Sequence, residues 1–167
     1  ELATRKAIDL KPDCADAHLN LGKMLIDQED YQKAELATRK AIELKPNLAI
    51  AYLNLGKIFI DLGKSQEAEV STLKAIELKP DCADAHLNLG NIYIDLENYQ
   101  KAEISIRKAL ELKIDFPEAN YFLAIIYRRN GDNKNAMLSI ENVLEFRPWS
   151  IKGLYGLNHT YEIDSIS

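Results

Sequence analysis

Residues 81–90 read DCADAHLNLG, and residues 13–22 have the same sequence. The identity belongs to a longer pattern, in which a leucine followed by a small residue recurs every 34 residues. The four pairs are Leu21-Gly22, Leu55-Gly56, Leu89-Gly90 and Leu123-Ala124. A constant period of this length indicates stacked copies of one supersecondary unit, each of which buries its apolar face against its neighbours.

Each copy predicts a hairpin of two helices. Apolar or small residues recur at helical spacing on both sides of the polar break at Glu29 and Asp30, in the order Ala17, Leu21, Leu25 and then Ala34, Thr38, Ala41. Two other copies place Gly63 and Gly131 in the break, which suits a helix end that needs a positive φ. We predict that polar residues cap the first helix of each copy, namely Asp13, Asn47, Asp81 and Asp115.

Prolines mark the ends of most copies, because proline has no backbone donor with which to continue a helix. We therefore divide the chain into the second helix of a partial repeat at 1–12, full repeats at 13–46, 47–80, 81–114 and 115–148, and a C-terminal helix and tail at 149–167. Because the sequence starts within a repeat, we expect the chain to be a fragment of a longer protein.

The order leucine, glycine, two residues, an aromatic, then two spaced alanines and a proline resembles the tetratricopeptide repeat. The resemblance implies an all-α fold, a right-handed α-α superhelix in which small residues let neighbouring helices approach closely. Those residues are Gly22, Gly56, Gly90 and Ala124 in the first helices and Ala34, Ala68, Ala102 and Ala136 in the second. Ile114, Asn120 and Val143 depart from the pattern, so the fourth repeat is the least regular.

In this family the first helices line a concave groove that holds the ligand. A different face of these helices from their buried stripe carries Asn20, Lys23, Asp27; Asn54, Lys57, Asp61; and Asn88, Asn91, Asp95 in the first three repeats. The asparagine series is similar to a ladder in the superhelix of O-linked N-acetylglucosamine transferases, where such amides hold a peptide main chain. A primary amide both donates and accepts, so it can pair with a peptide group whatever side chain follows.

The alternative interpretation of this face is a solvated polar surface. Lys23 and Lys57 lie four residues before Asp27 and Asp61, and such pairs stabilise a helix by only about 0.2–0.5 kcal/mol. Both interpretations remain open from sequence alone.

The fourth repeat changes the groove to an aromatic and basic surface formed by Tyr121, Phe122, Arg128 and Arg129. Aromatic and arginine side chains are favoured at binding hot spots, so this end could anchor an apolar residue and a nearby carboxylate. The alternative is that the terminal helix, or more of a longer protein, covers both rings. A chaperone-type carboxylate clamp is disfavoured, because leucine stands where that clamp has lysine.

Charge and hydropathy exclude two classes of partner. The net charge of −5 and the pI near 5.3 oppose the electrostatic attraction that drives nucleic-acid binding. No stretch approaches the roughly 18 apolar residues of a membrane span, and no signal peptide opens the sequence. We therefore expect a cytoplasmic protein with no nucleic-acid or membrane partner.

No constellation of reactive residues predicts catalysis. Cys14 and Cys82 occupy equivalent positions two repeats apart, too far for a disulfide, and His18 and His86 occupy equivalent packing positions rather than a metal site. We expect no enzyme activity, cofactor or metal.

Three functions remain from the sequence. The leading one is a non-catalytic scaffold that binds an extended peptide or a partner surface in its groove. The second is the substrate-recognition arm of a larger transferase-type enzyme. The third is head-to-tail self-association, because the helices at 1–12 and 149–167 would complete one another's hairpin as a contact that does not close.

Overall fold

A computed structural model describes residues 11–146, which form eight helices and no strand. The helices are α1 (Ala15–Asp27), α2 (Tyr31–Leu44), α3 (Ala49–Asp61), α4 (Ser65–Leu78), α5 (Ala83–Asp95), α6 (Tyr99–Leu112), α7 (Pro117–Arg129) and α8 (Asn133–Phe146). The predicted partial-repeat helix and the predicted C-terminal helix lie outside the described residues, apart from the last two residues of the former range.

The helices stack in one direction. The first and second helices of each hairpin pack on one another, and the second helix then packs on the first helix of the next hairpin. The first helices α1, α3, α5 and α7 also contact one another in succession, whereas within residues 11–146 the second helices do not form comparable packed pairs. The result is the predicted all-α superhelical solenoid, with an inner wall of first helices and an outer wall of second helices.

Small residues set the distance between the helices of a hairpin. Gly22, Gly56 and Gly90 of the first helices are buried, and so are the alanines of the second helices, Ala34, Ala68 and Ala102. A Cβ atom added to Gly22 would come within 2.5 Å of the Thr38 hydroxyl oxygen, and one added to Gly90 would overlap the side chain of Ile106. The glycines are therefore needed for the close approach of the helices, as the repeat pattern predicted.

Buried isoleucines pack each repeat against the one before it. Ile58, Ile92 and Ile126 occupy the same place in α3, α5 and α7, and each is fully buried. Ile58 packs in a cluster with Leu25 and other residues of the first repeat. Ile92 packs with Leu55, Phe59 and Ala68 of the second. The core is therefore distributed over the interfaces between repeats instead of being gathered at one centre.

The prediction of polar caps on the first helices was wrong. Those helices are preceded by Cys14, Leu48, Cys82 and Phe116, and none of these accepts a side-chain hydrogen bond at the helix start. The predicted polar residues stand one position too early, because a cap must directly precede the first helical residue. Side-chain caps occur instead on second helices: Asp30 accepts from the Lys33 amide at 3.3 Å, and Asn98 accepts from the Lys101 amide at 3.3 Å.

The turn inside each hairpin requires a positive φ. Gly63 and Gly131 have φ values of 68° and 77°, which confirms the prediction for these glycines. The first and third hairpins place Glu29 and Glu97 at the equivalent position, with φ values of 59° and 56°. A left-handed conformation costs a residue with a Cβ roughly 1–2 kcal/mol, so these two turns are strained.

Replacing Glu97 with glycine is expected to stabilise the protein by about 0.5–1 kcal/mol, because the relief of the left-handed strain exceeds the added freedom of the unfolded chain. Urea denaturation followed by circular dichroism measures the change. The matched control is Gly63→Ala, which has open space around its Cβ and should therefore lose stability for conformational reasons alone. A less stable Glu97→Gly protein would contradict the account of the turn.

Candidate peptide-binding groove

The inner wall presents three asparagines in register. Asn20, Asn54 and Asn88 occupy the same place in α1, α3 and α5; Asn20 is exposed and the other two are half-buried. Their side chains make no hydrogen bond with any residue of the described part of the chain. Each amide therefore keeps a donor and an acceptor for another molecule, and the three are one repeat apart.

An acidic row runs beside the asparagines. Asp27, Asp61 and Asp95 are the last residues of α1, α3 and α5. A carboxylate is unfavourable at this end of a helix, which carries partial negative charge. Burial raises the pKa of the Asp61 carboxyl, Lys57 lowers it and Glu29 raises it again. Burial also raises the pKa of Asp95.

No ion pair within residues 11–146 neutralises this row. Lys23 and Lys57 are exposed, yet neither ammonium lies within 4.0 Å of the aspartate one turn further along. The third repeat has the half-buried Asn91 in place of lysine. The lysines and the aspartates are therefore separate charges on the surface, and the aspartates can pair with a cationic group of another molecule.

The fourth repeat ends the asparagine series with an aromatic pair. Tyr121 and Phe122 are half-buried, and their ring centroids lie 5.7 Å apart at an interplanar angle of 41°. Phe122 packs on the core cluster of the third and fourth repeats. Arg128 and Arg129 are exposed at the end of α7. The structure thus brings aromatic and cationic side chains onto α7, the last first-type helix within the described residues.

The cysteines and histidines noted in the sequence lie at or near the starts of α1 and α5. Cys14 and Cys82 are free thiols. His18 and His86 each place Nε2 near a backbone carbonyl of the preceding loop, at 2.8 Å from Pro12 O and 2.9 Å from Pro80 O. These bonds hold the loop between repeats against the next helix. Within the described residues, no group of three His, Cys, Asp or Glu side chains could hold a metal, and no helix is long and apolar enough to cross a membrane.

Sequence models of repeat families match most of the chain. Models of the tetratricopeptide repeat match residues 15–48, 83–116 and 117–148, and a further model of this repeat matches residues 56–97. A sequence search of curated proteins gave no significant match.

Solved structures share the fold. The crystal structure of MamA is 26% identical, with a TM-score of 0.77 over 90% of this chain and 88% of that one. YrrB, described as a TPR protein with an unusual peptide-binding site, is 25% identical, with a TM-score of 0.74 over 87% of this chain and 75% of that one. A thermophilic TPR protein of Thermus thermophilus is 23% identical, with a TM-score of 0.77 over 89% and 82% of the two chains.

Proposed function

Because the chain belongs to the tetratricopeptide-repeat family, we propose that it is a scaffold that binds an extended segment of another protein along its inner wall. The observation that carries this proposal is the row of three asparagine amides that lack hydrogen bonds to the described residues. The similarity to YrrB, a TPR protein described as having a peptide-binding site, supports the same class of ligand.

The spacing of the amides suits an extended peptide. Packed helices lie about 8–10 Å apart, and an extended chain advances about 3.3 Å per residue. One asparagine can therefore contact the main chain of the ligand at every third ligand residue. The two ligand residues between these contacts face other groups of the inner wall. Because the contacts are to peptide groups, they tolerate different ligand sequences.

Two features of the inner wall favour some ligand sequences over others. The row of Asp27, Asp61 and Asp95 favours a ligand with basic side chains on that side, because these carboxylates form no ion pair within residues 11–146. The aromatic pair of the fourth repeat favours an apolar residue at one end of the ligand, with Arg129 nearby for a carboxylate.

The test removes the amides and keeps the fold. Peptides of about 12 residues, long enough to pass all three asparagines at about 3.3 Å per residue, are selected on the protein from a random library. Fluorescence anisotropy then measures the dissociation constant of the best peptide. Replacing Asn20, Asn54 and Asn88 together with alanine should weaken peptide binding at least about tenfold, because each lost hydrogen bond of a side-chain amide contributes about 0.5–1.5 kcal/mol.

The chain contains a matched control for this variant. Gln32, Gln66 and Gln100 are exposed amides with the same spacing on the second helices. Their joint replacement with alanine should leave peptide binding unchanged, and circular dichroism should show the same helicity for both triple variants. Unchanged binding by the asparagine variant, or an equal loss in the glutamine variant, would remove the asparagines from the proposal. The proposal applies equally to an isolated scaffold and to the recognition arm of a larger enzyme.

A further inference from the structure

The last residue of each inner-wall helix is charged, and the sign of the charge changes along the array. Asp27, Asp61 and Asp95 end α1, α3 and α5, whereas Arg129 ends α7. All four residues are exposed, and none forms an ion pair within residues 11–146. A ligand that crosses the inner wall therefore meets a carboxylate in three repeats and a guanidinium in the fourth.

The third repeat is the most acidic part of the inner wall. Its helix α5 places two carboxylates and two amides on one face, at Asp84, Asn88, Asn91 and Asp95. The first two repeats have a lysine where α5 has Asn91. Burial raises the pKa of Asp61 and Lys57 lowers it, whereas burial raises the pKa of Asp95 and no cation within residues 11–146 lowers it. A cationic side chain of a ligand is therefore favoured most strongly at α5.

The fourth repeat reverses this charge. Arg129 has Ile125 one turn before it, in place of an ionisable residue. Asp132 follows, but its carboxylate accepts from the Asn135 backbone nitrogen at 3.1 Å and from Asn135 Nδ2 at 2.6 Å. Glu118 lies about 16 Å before Arg129 along the helix axis. Arg129 can therefore pair with a carboxylate of a ligand.

The interval between the inner-wall helices favours one conformation of the ligand. Neighbouring first helices pack on one another, so equivalent residues lie about 8–10 Å apart. In a polyproline II helix three residues make one turn and advance about 9.3 Å, so every third side chain points the same way. In a β-strand the side chains on one side are two residues and about 6.8 Å apart, and residues three apart point to opposite sides. Only the polyproline II helix therefore repeats with the wall.

Polyproline II geometry also suits the asparagines. This conformation has no internal hydrogen bonds, so its peptide groups remain available to the amides of Asn20, Asn54 and Asn88. From Asn88 to Asp95 the helix advances about 10.5 Å, which calls for a long lysine or arginine side chain on the ligand. Arg129 is itself long and covers part of the equivalent distance in α7, so a glutamate of the ligand can reach it.

We propose that the inner wall selects a ligand segment in the polyproline II conformation, with a basic residue on the third repeat and an acidic residue three positions away on the fourth. This inference rests on the peptide-binding function proposed above and specifies its ligand. Proline-rich chains already populate this conformation, so they lose little freedom on binding. The partner is therefore a proline-rich segment of another protein.

Two synthetic peptides of twelve residues test the proposal. The first consists of four triplets, each ending in proline and alanine, and the first residues of the triplets are alanine, alanine, lysine and glutamate. The second has the reversed sequence, which covers the opposite direction of the main chain. One of the two, called the Lys/Glu peptide, should bind in fluorescence anisotropy at low salt, where ionic screening is weak. The asparagine triple variant should bind it more weakly.

The spacing of the two charges distinguishes two conformations of the ligand. Control peptides of the same composition place the glutamate two or five positions from the lysine, by exchange with an alanine, and keep every proline. Both should bind about three- to fivefold more weakly, because one of the two ion pairs is lost. A ligand bound as a β-strand would instead prefer a separation of two, since those side chains point to the same side.

Arg129→Glu tests the charge order on the protein. This variant should bind the Lys/Glu peptide at least about fivefold more weakly, because attraction is replaced by repulsion, and it should prefer the peptide with lysine at both charged positions. Lys134→Glu is the matched control, since it makes the same change of charge at an exposed residue of α8 and should leave binding unchanged. Circular dichroism should show the same helicity for both variants.

Three results would overturn the proposal. The first is equal or tighter binding of a control peptide with the glutamate two or five positions away. The second is an unchanged charge preference of the Arg129→Glu variant. The third is failure of both twelve-residue peptides to bind while library-selected peptides bind through the asparagines, which would leave the proposed function standing and remove only this ligand class. Failure of the proposed function itself is recognised separately, by library-selected peptides whose binding does not depend on the asparagines.

Discussion

Alanine at position 92 is expected to lower the free energy of unfolding by about 2–5 kcal/mol, the range for truncating a fully buried isoleucine. Ile92 has no exposed surface and packs with Leu55, Phe59 and Ala68 of the preceding repeat. Its removal leaves a cavity at the interface between the second and third repeats. Rigid helices on both sides limit how far this cavity can collapse.

The same substitution at Ile104 provides the control. Ile104 belongs to the same repeat but is 70% exposed, so Ile104→Ala should change stability by no more than about 0.5 kcal/mol. Urea denaturation measures both variants. Because each repeat contacts only its neighbours, Ile92→Ala should also reduce the urea dependence of unfolding as the two halves of the array begin to unfold separately. Equal losses from the two variants would contradict the interface role of Ile92.

Sequence reasoning could identify the hairpins because their packing depends on residue size at fixed positions. The glycines at 22, 56 and 90 lie against Thr38, Thr72 and Ile106 of the second helices, so a sequence period of 34 residues repeats the same close contact in each hairpin. The same argument placed Asn20, Asn54 and Asn88 on one face. Residues that are copied with the whole repeat must share a face when the repeats stack.

Other features depend on details that periodicity does not contain. A cap is determined by the position of the first helical residue, and an error of one residue separates the predicted Asp13 from the actual Cys14. The accessibility of the groove depends on neighbouring repeats, which half-bury Asn54 and Asn88 but leave Asn20 exposed. The raised pKa of Asp95 has the same origin, since burial is a property of the assembled wall.

The exposed apolar residues of the second helices had a sequence signal that the repeat pattern did not single out. Leu36, Val70 and Ile104 are apolar, and an apolar residue in a helix is ordinarily assigned to the core. Their neighbours one turn away are mostly polar or charged, however, and a helical projection would have placed them among these solvated residues. The polar surroundings of these apolar residues are the information that distinguishes an exposed position from a core stripe.

Gly90→Ala is expected to destabilise the protein by about 1–3 kcal/mol, although the same change at an exposed helical site stabilises by about 1 kcal/mol. The added Cβ would overlap Cγ1 of Ile106 on the facing helix, and the Ala102 carbonyl oxygen lies 3.4 Å from the same point. Ile106 is fully buried and branched at Cβ, so its side chain has little freedom to rotate away. The helices would have to separate.

The sign of the effect should reverse when Ile106 is first shortened to alanine. In that background the methyl group at position 90 meets a cavity instead of Cγ1, so Gly90→Ala should stabilise by up to about 1 kcal/mol through helix propensity and partial filling of the space. A double-mutant cycle by urea denaturation measures the coupling, which we expect to be about 2–4 kcal/mol because the two side chains compete for one volume. If Gly90→Ala stabilised the protein in both backgrounds, glycine at this position would reflect no packing requirement. The small residues would then not be what holds the two helices of a hairpin close together.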